Sequence, residues 1–487
     1  MPVNFLPPSA SEMMRFLPEI ILTIVATAVM VLESITGDGD KTVLAGLSFA
    51  GLVAALFAAL AAQTDPGFAF QNMMVVDGFA TFFRVLVIAV GMLTVLCSNN
   101  YLRLEGHNCG EYYALVLFSV AGQSIMVSAN ELIMIFIGLE IASISSYILA
   151  GFLRDDKRNN ESALKYFLLG SFATAFFLYG VAWIYGMTGA TNLSLIRDTI
   201  AKDPPPAMAV AAAAAMMLVG FAFKISAVPF QSWAPDVYQG APAPVSAFMS
   251  AGPKAAAFAI FLRVFTTAFG SVSDRWEPVV WVVALATMVM GNFAALSQRN
   301  IKRLLAYSSV AHAGYVLVAV TTHTAVATSA AMFYLASYAF MNMGAFAVVT
   351  HVARKGEKYV EVADFAGLGV RQPGTALLLT IFLLSLIGVP LTGGFFGKFY
   401  IFKAAIDAHV IWLSVLGLLN SAVAAYYYLR IIVVMYFHEQ PAEGGELPPI
   451  AGGLRTALWI SAAGTLFLGI FPSSLLEFAG RSASLLK

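Results

Sequence analysis

The sequence is poor in charge, in cysteine and in long polar stretches. Only 11% of its 487 residues are Asp, Glu, Lys or Arg, against roughly 25% in soluble domains, which excludes an ordinary soluble enzyme. Two cysteines, Cys97 and Cys109, are too few for a four-thiolate iron–sulfur cluster and have no zinc-site spacing, so both are expected to be passive. The 27 basic and 27 acidic residues cancel, and no global field points to nucleic acid or an acidic substrate. No dinucleotide fingerprint after a strand, haem pattern or cluster of metal ligands appears. The run "GGFFGKF" falls short of a phosphate loop: three residues separate Gly393 from Gly397, and Phe399 stands where Ser or Thr is required. No redox cofactor is expected on this chain.

What remains is apolar. Hydrophobic residues make up 60% of the chain, arranged in runs of about 20 residues, the length a bilayer requires. Such runs predict helices near 17–34, 42–62, 76–97, 112–128, 131–152, 163–187, 207–230, 245–269, 278–297, 303–321, 326–352, 375–403, 409–437 and 454–472. The fold class is therefore an all-α polytopic membrane protein of about fourteen transmembrane helices forming a single membrane domain. The amino-terminal stretch lacks the basic region and cleavage site of a secretory signal and reads as a retained first helix.

An even number of spans puts both termini on one side. Loop cations such as Lys41, Arg103, Arg154, Lys157, Arg158, Lys302 and Arg303 fall mostly on the other. The bias of Lys and Arg towards the cytoplasm then places both termini outside.

Two helices carry internal proline breaks, "KISAVPF" around Pro229 and "LSLIGVPLTGG" around Pro390. "EIASISSYIL" (140–149) and "SVAHAGYVL" (309–317) are also alike. Residues 1–111 would then supply three helices, 112–270 a first five-helix repeat, 271–440 a second, and 441–487 a last helix. An odd number of spans per repeat inverts the copies, and paired broken helices point to an ion or substrate site.

Seven basic residues fall inside the spans: Arg84, Lys165, Lys224, Lys254, Arg263, Lys398 and Arg430. Each costs roughly 2.5 to 3.5 kcal/mol at mid-membrane on insertion scales, so each needs a partner, water or a route to the interface. Lys224 precedes the first break, where freed carbonyls and water could join it. Glu140, nine residues into the run after Glu131, is its natural acidic partner, whereas Glu131 reads as a helix-start charge. Lys254 is central among small residues, Lys398 follows the second break, and mid-helix His312 could relay protons. Lys165 is explained by an i,i+4 pair with Glu161 or as the start of a relay. Arginine does not readily deprotonate, so Arg84, Arg263 and Arg430 read as packing or lipid-anchoring residues.

At "GLEIASISSY", "FKISAVPFQSWAPDVYQGAP", "GPKAAA", "KRLLAYSSVAHAGY" and "GVPLTGGFFGKFYIF" the chain resembles the antiporter-like membrane subunits of respiratory NADH:quinone oxidoreductase, themselves similar to subunits of multi-subunit Na⁺/H⁺ antiporters. The resemblance covers nearly the whole length. The lysine at 398 and the lack of room for a long lateral helix resemble the subunit N branch. The resemblance implies two inverted five-helix bundles in a bacterial inner membrane. It implies proton transfer through Glu140 paired with Lys224, then Lys254 and His312, towards Lys398, with Lys165 matching a further family lysine. It also implies neighbouring antiporter-like subunits, and NADH, FMN, iron–sulfur clusters and quinone on partner subunits. Gln231 departs from the family, which often has histidine there, so water would have to relay at that point. The alternatives are a cation/proton antiporter subunit outside the respiratory complex and a structural scaffold.

Overall fold

A computed structural model describes residues 7–37, 41–439 and 447–484. The helices follow the apolar runs. They are α1 (Leu17–Thr36), α2 (Thr42–Ala62), α3 (Gly78–Glu105), α4 (Gly110–Ser128), α5 (Leu132–Ala150), α6 (Lys157–Thr188), α7 (Ala207–Ile225), α8 (Trp233–Gly240), α9 (Ala243–Thr267), α10 (Ser273–Leu296), α11 (Ile301–Val320), α12 (Ala325–Ala353), α13 (Pro373–Ile387), α14 (Gly393–Asp407), α15 (Ile411–Phe437), α16 (Gly452–Ile470) and α17 (Pro472–Ala483). Among the described residues, twelve helices are long and apolar enough to cross a membrane. With α4 and the interrupted α13–α14 pair, this is compatible with fourteen crossings. An antiparallel pair, β1 (Gly67–Ala69) with β2 (Met74–Val76), caps one end, and neither it nor the surface helix Leu193–Lys202 stood out in the sequence.

The two proline segments divide their helices, and the backbone groups freed there find partners. At the first break Ser226 closes α7 in the left-handed conformation, φ 61°. The Trp233 indole then donates to the Phe223 carbonyl at 2.9 Å, and the Val228 N–H to Thr287 Oγ1 at 3.0 Å. At the second, Gly388 ends α13 at φ 95°, a value that favours glycine, and the Gly394 N–H donates to Ser385 Oγ at 3.1 Å. Such repair is what allows irregular backbone at membrane depth.

Helices α9, α11 and α12 form the centre and are buried almost all round, whereas α1 buries few of its residues. Both described ends of the chain lie at the same end of α3. Ser482 of α17 packs against Gly78, and the Arg15 carbonyl accepts from Arg84 at 3.2 Å.

Close approach of α4 and α5 depends on two glycines. A Cβ on Gly138 would fall 2.7 Å from the Met126 nitrogen and 2.8 Å from the Gly122 oxygen, both backbone atoms that cannot turn aside. Gly138→Val should lower the thermal transition of the solubilised protein, by the roughly 1–3 kcal/mol of an overpacked core. Gly46→Ala, with nothing within 4 Å of the new atom, should leave it unchanged or raise it. Equal transitions for the two variants would rule out a rigid seam.

Candidate functional site

Apart from Arg430, the cations inside the helix bundle fall into two groups, distinguished by what holds them. The first group is paired with carboxylates. Arg84 and Glu19 are both fully buried and meet at 2.9 Å. Arg263 takes Asp77, the residue that caps α3, through two bonds of 2.9 and 3.0 Å. Lys302 meets Glu357 at 2.5 Å. These are fixed ion pairs, and they account for Arg84 and Arg263 as packing residues. Arg430 is instead held by the Leu296 and Gln298 carbonyls, at 3.1 and 2.6 Å.

The second group, Lys224, Lys254 and Lys398, has no carboxylate within ion-pair distance among the described residues, only neutral acceptors. Lys224 donates to Ser143 Oγ at 2.6 Å and Tyr147 OH at 3.2 Å. Its ammonium also faces the rings of Tyr147, Tyr166 and Phe223 at 5.2 to 5.8 Å. Lys254, on the buried face of α9, donates to the Ser309 carbonyl at 3.0 Å and its hydroxyl at 2.5 Å. Lys398 reaches back from α14 to the Leu386 and Ile387 carbonyls at 2.9 and 2.8 Å and to Ser421 Oγ at 2.8 Å. Those two carbonyls belong to the last turn of α13, whose helical continuation the break removes, so this ammonium sits at the negative end of a half-helix.

Between them lies His312. Its Nδ1 is 2.6 Å from Tyr334 OH and its Nε2 3.2 Å from Tyr428 OH, while Tyr428 OH also hydrogen-bonds Ser308. Ser308 and Ser309 lie one helical turn from His312 on α11. Lys254, Ser309, His312, Tyr334 and Tyr428 therefore line one buried polar stripe. The orphaned Tyr238 OH, Tyr338 OH and Asn342 Oδ1 add buried polar atoms of the sort that internal water satisfies. Lys398 sits over the Tyr315 ring at 4.9 Å, as Lys224 sits over Tyr147. Tyr147 and Tyr315 come from the two segments that parallel each other in sequence.

Three expectations are altered. Glu140 does not pair with Lys224: it is half-buried, and its Oε1 has no hydrogen-bond partner. The lysine takes Ser143, one turn further along α5. The carbonyl freed beside Lys224 goes to the Trp233 indole, while it is Lys398 that collects freed carbonyls. Lys302 is not a loop cation but completely buried.

Lys165 makes the expected pair with Glu161 at 2.7 Å and a second with Asp236 at 2.7 Å. Asp236 also binds Arg303 at 2.6 Å, placing Lys165 in a partly exposed charge cluster apart from the stripe. Glu131 caps α5 by accepting from the Met134 N–H at 3.0 Å, as its position implied. Gln231 Oε1 is buried without a partner. Burial pushes the Cys109 thiol, in the turn before α4, up to about 11, so it stays protonated at neutral pH and is a poor nucleophile.

Sequence reasoning missed Glu357. Its carboxylate gathers the Tyr101 hydroxyl at 2.8 Å, the Ala243 N–H at 2.6 Å and Lys302, joining α3, α9 and α11. Its position in a charged loop, "RKGEKY", gives no sign of this.

A bundle with two interrupted helices facing a buried lysine–histidine stripe is the architecture of an antiporter-like membrane subunit. Residues 129–424 match the family described as NADH:quinone oxidoreductase/Mrp antiporter, TM, and the chain belongs to that family. It is 61% identical over 476 residues to NADH-quinone oxidoreductase subunit N 1 of Solibacter usitatus, covering 98% of both chains. It is 46% identical to subunit N of Trichlorobacter lovleyi, covering 96% of both. Among solved structures, a chain of respiratory complex I from Thermus thermophilus with bound aureothin is 34% identical, with a TM-score of 0.80 over 94% of this chain and 98% of that one. A chain of the Mrp complex from Dietzia, 22% identical over 97% of both chains, has a TM-score of 0.85 and shares the fold.

Proposed function

We propose that this chain is the N-type subunit of a bacterial NADH:quinone oxidoreductase and carries protons across the membrane while partner subunits oxidise NADH and reduce quinone. The observation that carries this reading is the contrast between the two groups of cations. An ammonium withdrawn from water without a counter-ion is unfavourable, and lysine can relieve the cost by releasing its proton, which arginine cannot. Among the described residues, Lys224, Lys254 and Lys398 are the lysines inside the bundle held by neutral groups alone, and His312 lies among them.

In this reading Lys224 exchanges protons at the first break. Lys254 and the His312–Tyr428 pair pass them along the centre, and Lys398 holds them at the second break. Glu140 biases Lys224 from one turn beyond Ser143 rather than by contact, and Lys165 with Asp236 lies at the margin of the route. Water stands in for the missing histidine at Gln231. The pairing of Lys224 with Tyr147 and Lys398 with Tyr315 supports two inverted repeats, 112–270 and 271–440, flanked by residues 1–111 and 441–487. FMN, the iron–sulfur clusters and the quinone site belong to partners, making this chain a translocase component without a redox centre of its own. The protein sits in the inner membrane with both termini on the periplasmic face, in keeping with the basic loops opposite.

Lys224→Ala should leave the complex assembled and reduce both proton pumping and NADH:quinone turnover at least tenfold, about 1.4 kcal/mol on the barrier. Unchanged pumping in assembled complex would remove Lys224 from the route. Altered Na⁺-linked pH change, with turnover intact, would favour an antiporter outside the respiratory complex.

A further inference from the structure

Between His312 and Lys398 the hydrogen bonds can be followed from atom to atom. His312 Nε2 lies 3.2 Å from Tyr428 OH, and the neighbouring Tyr427 hydroxyl is a hydrogen-bond partner of Tyr428. At the other end Lys398 donates to Ser421 Oγ at 2.8 Å, and Ser421 is in turn a hydrogen-bond partner of the Tyr315 hydroxyl. The two stretches meet at Asn292. Its Oδ1 accepts from Tyr427 OH at 3.0 Å, and its Nδ2 donates to Tyr315 OH at 3.1 Å. The joints on either side of it are hydroxyls; this one is a carboxamide.

The helices hold the amide in place. Asn292 lies on α10 and is fully buried, as are Tyr315 of α11 and Tyr427 of α15. One residue before it, a Cβ on Gly291 would fall 2.5 Å from the Ala311 nitrogen, so α10 and α11 meet backbone to backbone beside the amide. Tyr315 stands one turn along α11 from that contact.

Its chemistry differs from that of its neighbours. A hydroxyl accepts one proton as it gives up another, so a row of hydroxyls passes protons along. An amide keeps its protons on nitrogen and its lone pairs on oxygen. A proton offered by Tyr427 at Oδ1 is not one that Nδ2 can hand to Tyr315, and turning the amide end for end does not alter this. Asn292 therefore satisfies two buried hydroxyls, as buried polar groups require, without joining them into a proton-conducting row.

We propose that Asn292 is a positioning residue that holds the His312 and Lys398 branches together while keeping them closed to direct proton flow. Transfer between the branches then waits until the driven cycle admits water or turns the amide aside. The inference rests on the proton-transfer reading given above.

The test uses the assembled complex in proteoliposomes. Two quantities are read: protons pumped per NADH oxidised, and passive proton flow down an imposed pH gradient without NADH. Asn292→Asp supplies a group of nearly the same size that does relay. Its carboxylate takes a proton from Tyr427 and passes one to Tyr315, each tyrosine regaining a proton as it gives one up. Passive flow through the chain should rise roughly a hundredfold, the lower end of what a positioned proton-transferring side chain contributes, and the protons pumped per NADH should fall. Asn292→Ala leaves room between two hydroxyls for a water, which should conduct in the same way. Asn292→Leu fills the space with an apolar group of similar size and should keep both quantities at wild type in whatever complex assembles, although it leaves both hydroxyls without their partner.

Wild-type flow and ratio in Asn292→Asp, or in Asn292→Ala where the aspartate variant does not assemble, overturn the proposal. Equal leakage in Asn292→Leu does so too, because loosened packing would then be the cause. Lys224→Ala in the same vesicles separates this inference from the reading beneath it. Pumping untouched by that change removes the route and the inference with it, whereas lost pumping with no leak in the Asn292 variants removes the inference alone.

Discussion

Glu19→Ala is expected to leave little assembled complex, a larger loss of stability than Gly138→Val should cause. The Glu19–Arg84 pair is fully buried, with Ser124 Oγ donating to Glu19 at 2.5 Å. Removing one partner strands the other charge, at roughly 3–5 kcal/mol, against a total stability of about 5–15 kcal/mol for a typical domain. The pair is also incompletely satisfied, since Glu19 Oε2 and Arg84 Nε have no hydrogen-bond partner. Replacing both, as Glu19→Leu with Arg84→Met, should therefore restore assembly to near wild type, because desolvating a buried pair offsets much of its attraction. Native gel electrophoresis of the solubilised membranes separates the cases. If the single variant assembles normally, the pair is hydrated and its burial carries no energetic weight.

The second large effect falls on transport. Lys398→Ala should lower pumping and turnover at least tenfold, but alanine also strips the half-helix α13 of the ammonium that satisfies its last carbonyls, so a structural role predicts some loss as well. Lys398→Arg distinguishes them. Arginine keeps a positive donor for Leu386, Ile387 and Ser421 yet does not give up its proton at accessible pH. A proton carrier predicts that Lys398→Arg assembles with wild-type thermal stability and pumps no better than Lys398→Ala. A mere helix cap predicts recovery of pumping, and that result would take Lys398 out of the pathway.

Much of this fold was legible because hydrophobic length and proline are local signals. The run from 207 to 230 and the run from 375 to 403 each announced a break, and the structure divides them after Ile225 and Ile387. Counting residues from Glu131 also gives Glu140 an expected level along its helix, but direction was not legible. A helical count gives the level of Glu140 and its face on α5 but not how α5 is turned towards α7, and that rotation brings Ser143, not Glu140, to Lys224. Arginines 84 and 263 read as packing residues, but their partners Glu19 and Asp77 come from distant helix starts that no spacing rule connects. Lys302 was misread for a related reason. It stands in "QRNIKR", whose neighbouring charges look like a loop, and its counter-ion is 55 residues away.

That separation has a bearing on how the chain is made. The atoms gathered by Glu357 come from residues 101, 243 and 302, all of which leave the ribosome before it does. At roughly 5–20 residues per second, the 55 residues from Lys302 to Glu357 take about 3 to 11 seconds to synthesise. For that interval Lys302, in the first turn of α11, has the Ala241 carbonyl as a partner but its carboxylate is still untranslated. The arrival of Glu357 fastens α3, α9 and α11 in one step, so nearly the first three-quarters of the protein acquires this cross-link only when the loop after α12 emerges.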